Sequence, residues 1–506
     1  MPNDGDHPLG GTAVIAKVQR LLAIDFVVDQ RRRQLGRFAM QVCLGMLVAP
    51  ITLTLPAQVT SSRAAVPPSG RFDALERVIN TAMRDRGIPG VAVIVTEGRD
   101  VTYRRAFGIS DIESGAPMST SLLTQVGSVT KVVTALLAAD MQLAGEVDLD
   151  VPIGRYATGL SPRLSSITLR RLLSQTAGLR DEPAGSGRQD GSALLEYART
   201  VPDAAQILPP GEAFSYSNLG FALGGLTLQQ SVHVPFDRLL QDRVLLPLQM
   251  GHATMRLPDA ATYPRAAGHA PDSTGRLRVV RPVANDARYW PAGYLWASAE
   301  DLAELVRLFL HTPSRASHPR LAAAADSLLV RRVEVPGLPN SAQYGYGMFV
   351  DQWHGVRRAW HPGAMPGFSA LIELLPDRDV GVVVVANRDG LRLDEIAEAA
   401  LESGGVFPNE SSSADSVVAS AVSGSLLQSL EGRFLGRFPL ELQYRDGQLL
   451  LTRFGTTLPV VPLGDDRYLI VNPGTGRQET FKIIPSSGSR PAYIQMFLWA
   501  FPRVRQ

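Results

Sequence analysis

The sequence predicts an α/β (α+β) chain followed by a small all-β module, and three observations carry that reading. Val91-Ala-Val-Ile-Val95 and Val380-Gly-Val-Val-Val-Val385 are β-branched runs bounded by turn residues, the pattern of strands. Val129 to Leu143 spaces its apolar residues helically, without Pro or Gly, as a largely buried helix does. Beyond Leu426 the chain changes to short strands separated by turns.

At the amino end, residues 31–37 read Arg-Arg-Arg-Gln-Leu-Gly-Arg and precede an uncharged run from Phe38 to Leu55. A basic segment, an apolar segment and small residues near Ala57 together make an export signal over residues 1–57. Two other readings fit the same run. At about 18 residues it is just long enough for an uncleaved membrane anchor over residues 38–55, although Pro50 interrupts it; the other reading is a buried core helix. Arg32-Arg33-Gln34-Leu35 faintly resembles a twin-arginine signal. The residues upstream are long for such a segment and fit either a cytoplasmic extension or a misassigned start. Cys43, the single cysteine, lies inside the run, so a cleaved chain would carry none, which suits an oxidising compartment. The expectation is an exported protein, periplasmic or extracellular.

Residues 58–70 read as a Ser/Ala/Pro linker, and residues 71–404 mix helix and strand signals as one domain. Within it Leu302 to Leu310 is a helix with Ser298 and Asp301 as capping residues, and Glu395 to Glu402 is another. Residues 405–425 read as a second linker, rich in Ser and Ala. In residues 426–506 the predicted strands are Leu440 to Tyr444, Gln448 to Arg453 after an Asp446-Gly447 turn, Tyr468 to Val471, and Glu479 to Ile484.

Composition narrows the function. With 506 residues, 45% hydrophobic and 19% charged, the chain is an ordinary globular protein of two or three domains. A formal charge of +2 with dispersed arginines excludes a dedicated nucleic-acid binder. One cysteine excludes a disulfide scaffold and a thiolate zinc site, and eight scattered histidines give no metal-ligand pattern, so no metal or other cofactor is expected. Of 50 cationic side chains only Lys17, Lys131 and Lys482 are lysines. Where so Arg-biased a chain keeps a lysine, there is room for a chemical reason.

Ser128-Val129-Thr130-Lys131 is an S-x-x-K motif. On a helix, i and i+3 share a face, so the amine would sit beside the hydroxyl. Ser128, after Gly127, would lie at a helix start, where free N–H groups favour a developing oxyanion. A serine hydroxyl needs a base. Lysine can lose its proton for that purpose, whereas arginine effectively cannot. Burial or a nearby cation would have to lower the lysine pKa by about three units to serve near pH 7. Alone, the motif is common enough to be structural. Tyr216-Ser217-Asn218 adds a phenol able to relay protons beside a lysine and an amide able to hold substrate, although such triplets are usually turns. His361-Pro362-Gly363-Ala364 places a histidine and a glycine on a loop or strand where substrate could approach the backbone, or where the histidine is simply structural.

These three motifs, in this order, resemble those of the serine β-lactamase and penicillin-binding protein superfamily, and most closely its class C branch. Similar supporting stretches are Ile88-Pro-Gly-Val-Ala-Val93, Pro247-Leu-Gln-Met-Gly251, Ser298-Ala-Glu-Asp-Leu302 and Tyr344-Gly-Tyr-Gly347. The resemblance implies an antiparallel sheet flanked by helices, with a helical subdomain and Ser128 at their junction. It also implies a β-barrel-like module at the carboxyl end. By the same resemblance, Ser128 is the acylated nucleophile and Lys131 its base. Tyr216 relays the proton; Asn218 positions substrate and Lys131; His361 and Gly363 bind substrate; and the Ser128 and Ala364 N–H groups form the oxyanion hole. One departure stands out: penicillin-recognising members usually carry Lys-Thr-Gly where this chain has His361-Pro362-Gly363. Histidine is only partly charged near neutral pH, so a carboxylate-binding role would fade as pH rises through about 6.5. Proline removes a hydroxyl and a backbone donor, which argues against strong β-lactam turnover. The expected activity is hydrolysis of an ester or amide in a small molecule or peptide through an acyl-enzyme. The rivals are a D,D-peptidase or β-lactamase acting on cell-wall peptides or β-lactams, and an inactive penicillin-binding-like scaffold or sensor.

Overall fold

The computed structural model describes residues 70–182, 185–336, 338, 342–404, 422–471, 478–485 and 491–504. The expected export signal, both of its alternatives and the linker up to residue 69 lie outside these residues. The helices that organise the chain are α1 (Asp73–Arg86), α2 (Thr130–Leu143), α3 (Asn218–Val232), α4 (Ala299–Arg307), α5 (Pro319–Leu328), α6 (Asp394–Gly404) and α7 (Gly424–Ser429). The strands of the main sheet are β1 (Gly90–Glu97), β2 (Asp100–Gly108), β3 (Val333–Glu334), β4 (Gln343–Tyr344), β5 (Phe349–Trp353), β6 (Val356–Met365), β7 (Phe368–Leu375) and β8 (Val380–Ala386). They run in the order β2-β1-β8-β7-β6-β5-β4-β3, antiparallel throughout.

The two valine-rich runs pair with each other, Val91 opposite Ala386 and Val95 opposite Val382. Their continuous apolarity has a physical cause: both faces of the sheet are covered. Val91, Val93, Val95, Val382 and Val384 pack into one core with Leu75 and Ile79 of α1 and Ile396 and Leu401 of α6. Ala92, Ile94, Val383 and Val385 turn to the opposite core, which holds α2, α3 and α4. Helix α4 starts at a capping box, with Ser298 and Asp301 each bonded to the other's backbone. Helix α2 is buried on all sides from Thr130 to Met141, and so presents no face to solvent over that stretch.

The carboxyl-terminal strands are β9 (Gly432–Leu435), β10 (Pro439–Arg445), β11 (Gln448–Arg453), β12 (Thr456–Gly464), β13 (Arg467–Val471), β14 (Gln478–Pro485), β15 (Pro491–Met496) and β16 (Trp499–Pro502). Each pairs antiparallel with the next, and a bridge from Phe434 to Arg503 brings the last back to the first. The result is a near-barrel around Phe434, Leu442, Leu451, Ile470, Phe481, Ile494 and Phe501. Asp446 and Gly447 both have positive φ, +51° and +80°, the geometry of the two-residue hairpin that the Asp-Gly pair predicts. Four strands, β9, β12, β15 and β16, were not predicted; Pro459 and Pro462 disguise β12. Helix α7 begins inside the stretch read as a linker, capped by Ser423.

Candidate active site

A tight turn over Gly127–Val129 leads from the sheet side into α2. Ser128 therefore sits just before the α-helix, not in its first turn, and remains at the N-terminal end of a 14-residue dipole. Two glycines create this turn's surroundings. Gly127 has φ +53°, and a Cβ there would come within 2.4 Å of the Ala364 nitrogen. A Cβ on Gly363 would fall 2.0 Å from the Val126 carbonyl oxygen and 3.3 Å from the Ser128 nitrogen. Strand β6 thus presses its backbone on the serine turn. It can do so because β5 pairs with β6 only as far as Trp360. Beyond that, the register pairs β6 with β7 on one side only.

Lys131 is fully buried. Its Nζ lies 2.7 Å from Asn218 Oδ1, 2.6 Å from the Ala292 carbonyl oxygen and 3.2 Å from Ser128 Oγ. The first two partners can only accept. A neutral amine has two N–H groups and one lone pair, so satisfying both carbonyl oxygens turns the lone pair toward the Ser128 hydroxyl. Burial pushes the Lys131 pKa down to about 7, with the Asp181 carboxylate opposing. Tyr216 lies across the amine, its ring centroid 4.7 Å from Nζ. Burial holds its phenol well above the ordinary value, and a hydrogen bond with Ser128 works in the other direction. The pair at neutral pH is thus an amine able to accept a proton and a phenol that keeps its own.

Asn218 is the first residue of α3, which Ser217 caps by accepting from the Gly220 N–H at 3.1 Å. Its amide is engaged at both ends, Oδ1 with Lys131 and Nδ2 donating to the Glu182 carbonyl at 3.0 Å. It is placed to orient the lysine. His361 is buried, with Nε2 3.2 Å from the Tyr344 hydroxyl and Nδ1 2.7 Å from the Pro362 carbonyl. Burial, and next the nearby Lys131, push its pKa down to about 3. In this geometry the ring is neutral near pH 6.5 and offers no charge to a substrate carboxylate, unlike the expectation of a fading cation. Its neighbours are the rings of Phe349, Tyr344 and Tyr216, at 5.5, 6.1 and 6.3 Å between centroids.

The structure therefore brings Ser128, Lys131, Tyr216, Asn218, Gly363 and Ala364 together, with His361 beneath them. Sequence reasoning assigned no role to the Ala292 carbonyl or to Tyr344, although Tyr344 lies in a stretch that carries the resemblance, and it missed Asp181. The carbonyl is backbone, common to every residue, and Asp181 has no motif around it.

A family model described as Beta-lactamase matches residues 75–404. The chain belongs to the beta-lactamase family, whose members are serine hydrolases, within the serine β-lactamase and penicillin-binding protein superfamily. Among curated relatives it is 23% identical to Protein flp of Staphylococcus aureus (strain MW2) over 334 residues, 64% of each chain. It is 28% identical to Penicillin-binding protein 4 of Amycolatopsis lactamdurans over 63% of this chain and 84% of that one. The match thus spans less than two thirds of the length of the Staphylococcus protein. In fold it is similar to the crystal structure of SurE, with TM-score 0.71 and 24% identity, covering 86% of this chain and 99% of that one. It is also similar to an octameric penicillin-binding protein homologue from Pyrococcus abyssi, with TM-score 0.60 and 22% identity over 84% and 98% of the two chains.

Proposed function

We propose that the protein is an exported serine hydrolase that cleaves an ester or amide through an acyl-enzyme on Ser128. One observation carries the reading: a fully buried lysine whose two acceptor-only partners leave its lone pair for the serine hydroxyl, 3.2 Å away. Ser128 Oγ bonds to the substrate carbonyl carbon as Lys131 takes the hydroxyl proton. The carbonyl oxygen becomes an oxyanion held by the Ser128 and Ala364 N–H groups. Collapse breaks the carbon–leaving-group bond. Tyr216 gives its proton to the departing oxygen or nitrogen and is re-protonated from Lys131, so no charge is left on the phenol. Water then attacks the acyl carbon by the reverse relay and restores Ser128. The neutral His361 supplies no carboxylate anchor, which supports neutral esters and amides over penicillin-type substrates. Export is supported by the arginines at 31–33 ahead of the apolar run at 38–55.

Treatment with a fluorescent phosphonate, followed by peptide mapping, is expected to find one adduct, on Ser128. An adduct on another serine, or none, would overturn the reading. A panel of short esters, D-amino-acid amides and a chromogenic cephalosporin then sorts substrates by leaving group.

The pH profile follows from the lysine. The base must be neutral, so kcat/KM for an uncharged ester should rise with pH through about 7 and then level. A profile already flat from pH 5.5 upward would remove Lys131 as the base. With the His361 pKa held near 3, anionic and neutral esters with matched leaving groups should give parallel profiles between pH 5.5 and 8.

A further inference from the structure

The carboxyl-terminal near-barrel reaches the site. The Tyr216 N–H donates to the Leu498 carbonyl, in the turn between β15 and β16, at 2.7 Å. Gln495 Nε2 donates to the Phe214 carbonyl at 2.8 Å, and the Ala500 N–H to Ser215 Oγ at 3.4 Å. Trp499 Nε1 donates to Asp181 Oδ2 at 3.2 Å, and Arg437, from the turn between β9 and β10, pairs with the same oxygen. The Arg437 guanidinium also stacks over the Trp499 ring, 4.4 Å from its centroid. The other oxygen of Asp181 accepts from the Asn218 N–H at 3.0 Å, and this carboxylate is fully buried.

We propose that Arg437 and Trp499 are positioning residues for hydrolysis: through Asp181 and the Tyr216 amide, the β-module holds Asn218, Lys131 and Tyr216 in place around Ser128. The proposal rests on the reading of Ser128 as nucleophile. Its physical core is a buried carboxylate that must be compensated. The titratable and charged groups facing this cluster are Lys131 of α2, Tyr216 before α3, His361 of β6, Asp181 and Arg437. Glu182, next to Asp181, gives its carboxylate to the hydroxyls of Tyr197 and Tyr289. Burial raises the Asp181 pKa, and Arg437 is the foremost group lowering it; Asp181 in turn raises that of Lys131. With Arg437 in place, the Asp181 charge is spent on the guanidinium and Lys131 can stay neutral. Without it, the carboxylate still has the Asn218 and Trp499 N–H donors, and Lys131 beside it becomes the cation that balances it, so the two share a proton and the fraction of usable base at neutral pH falls.

The test uses the full chain. Arg437→Met is expected to lower kcat at pH 7 about tenfold or more, with KM within about threefold. The rising limb of its pH profile should move up by about one unit, which alone gives about fivefold at pH 7 for a limb near 7 and about tenfold well below it. Arg437→Lys, which keeps a cation, should recover most of the rate. Asp181→Asn combined with Arg437→Met removes both charges and should return the limb to its wild-type position. Kinetics and a pH limb for Arg437→Met within about twofold of wild type would overturn the proposal, as would a double variant no better than the single one. If Arg437→Met does not fold, Trp499→Phe decides: it removes the N–H and keeps a smaller aromatic ring under Arg437, and should lower kcat about threefold at constant KM, and an unchanged kcat overturns the proposal. A wild-type chain without an adduct on Ser128 fails the nucleophile assignment. An intact adduct with unaltered variant kinetics fails this proposal alone.

Discussion

Lys131→Arg is expected to lose about a thousandfold in kcat/KM, within a few-fold of Lys131→Ala, although arginine is the cation this chain otherwise prefers. The reason is the direction of proton transfer. A guanidinium in a protein stays protonated, so it has no lone pair for the serine proton. Loss of a general base costs about 10²–10⁴ in rate, and a thousandfold is about 4 kcal/mol of transition-state stabilisation. The site adds a steric argument: the amine is enclosed by Asn218, the Ala292 carbonyl and the Tyr216 and Phe221 rings. Circular dichroism and thermal melting of each variant separate lost chemistry from lost fold. If folded Lys131→Arg kept more than about a tenth of the activity, a loss under about 1.4 kcal/mol, the lysine would be acting as a cation and not as a base.

The lysine scarcity that made Lys131 conspicuous also isolates Lys482, which pairs with Glu334 from the module side at 2.9 Å. What the sequence made legible is what short-range spacing encodes. The i, i+3 relation of Ser128 and Lys131, the helix from 130 to 143 and the strands at 90–97 and 380–386 all announce themselves within a few residues. Y-x-N was legible as a motif, and the resemblance gave its asparagine the task of positioning Lys131, but the Glu182 carbonyl that anchors the other end of that amide was not legible, because it comes from a distant part of the chain. Arg437 and Asp181 stand 256 residues apart, and nothing local marks either. The charge state of His361 is set by packing that no local pattern shows. An imidazole's ordinary pKa says nothing of a ring enclosed by Tyr344, Phe349 and Tyr216.

Gly363→Ala is expected to cut kcat by about a hundredfold with KM changed less than about threefold, because the added methyl strikes the serine turn. The Cβ would stand 2.0 Å from the Val126 carbonyl oxygen, a backbone atom that no side-chain rotation can clear. Either β6 or the turn must move by more than an ångström. Such a displacement separates the Ala364 N–H from the Ser128 N–H, and losing one oxyanion donor alone costs about 10²–10³ in kcat. Phosphonate labelling of Ser128 should slow in parallel, since it passes through the same anionic geometry. The fold should survive with about 1–3 kcal/mol less stability, the usual cost of overpacking. Gly251→Ala, at a position where an added Cβ meets nothing within 4 Å, is the control for substituting glycine as such and should leave rate and melting temperature near wild type. The result also separates two roles for Gly363. If its purpose were close approach of substrate to the strand, the alanine would raise KM and spare the labelling rate. A raised KM with labelling at wild-type speed would therefore remove the contact with the serine turn as the reason for glycine at this position.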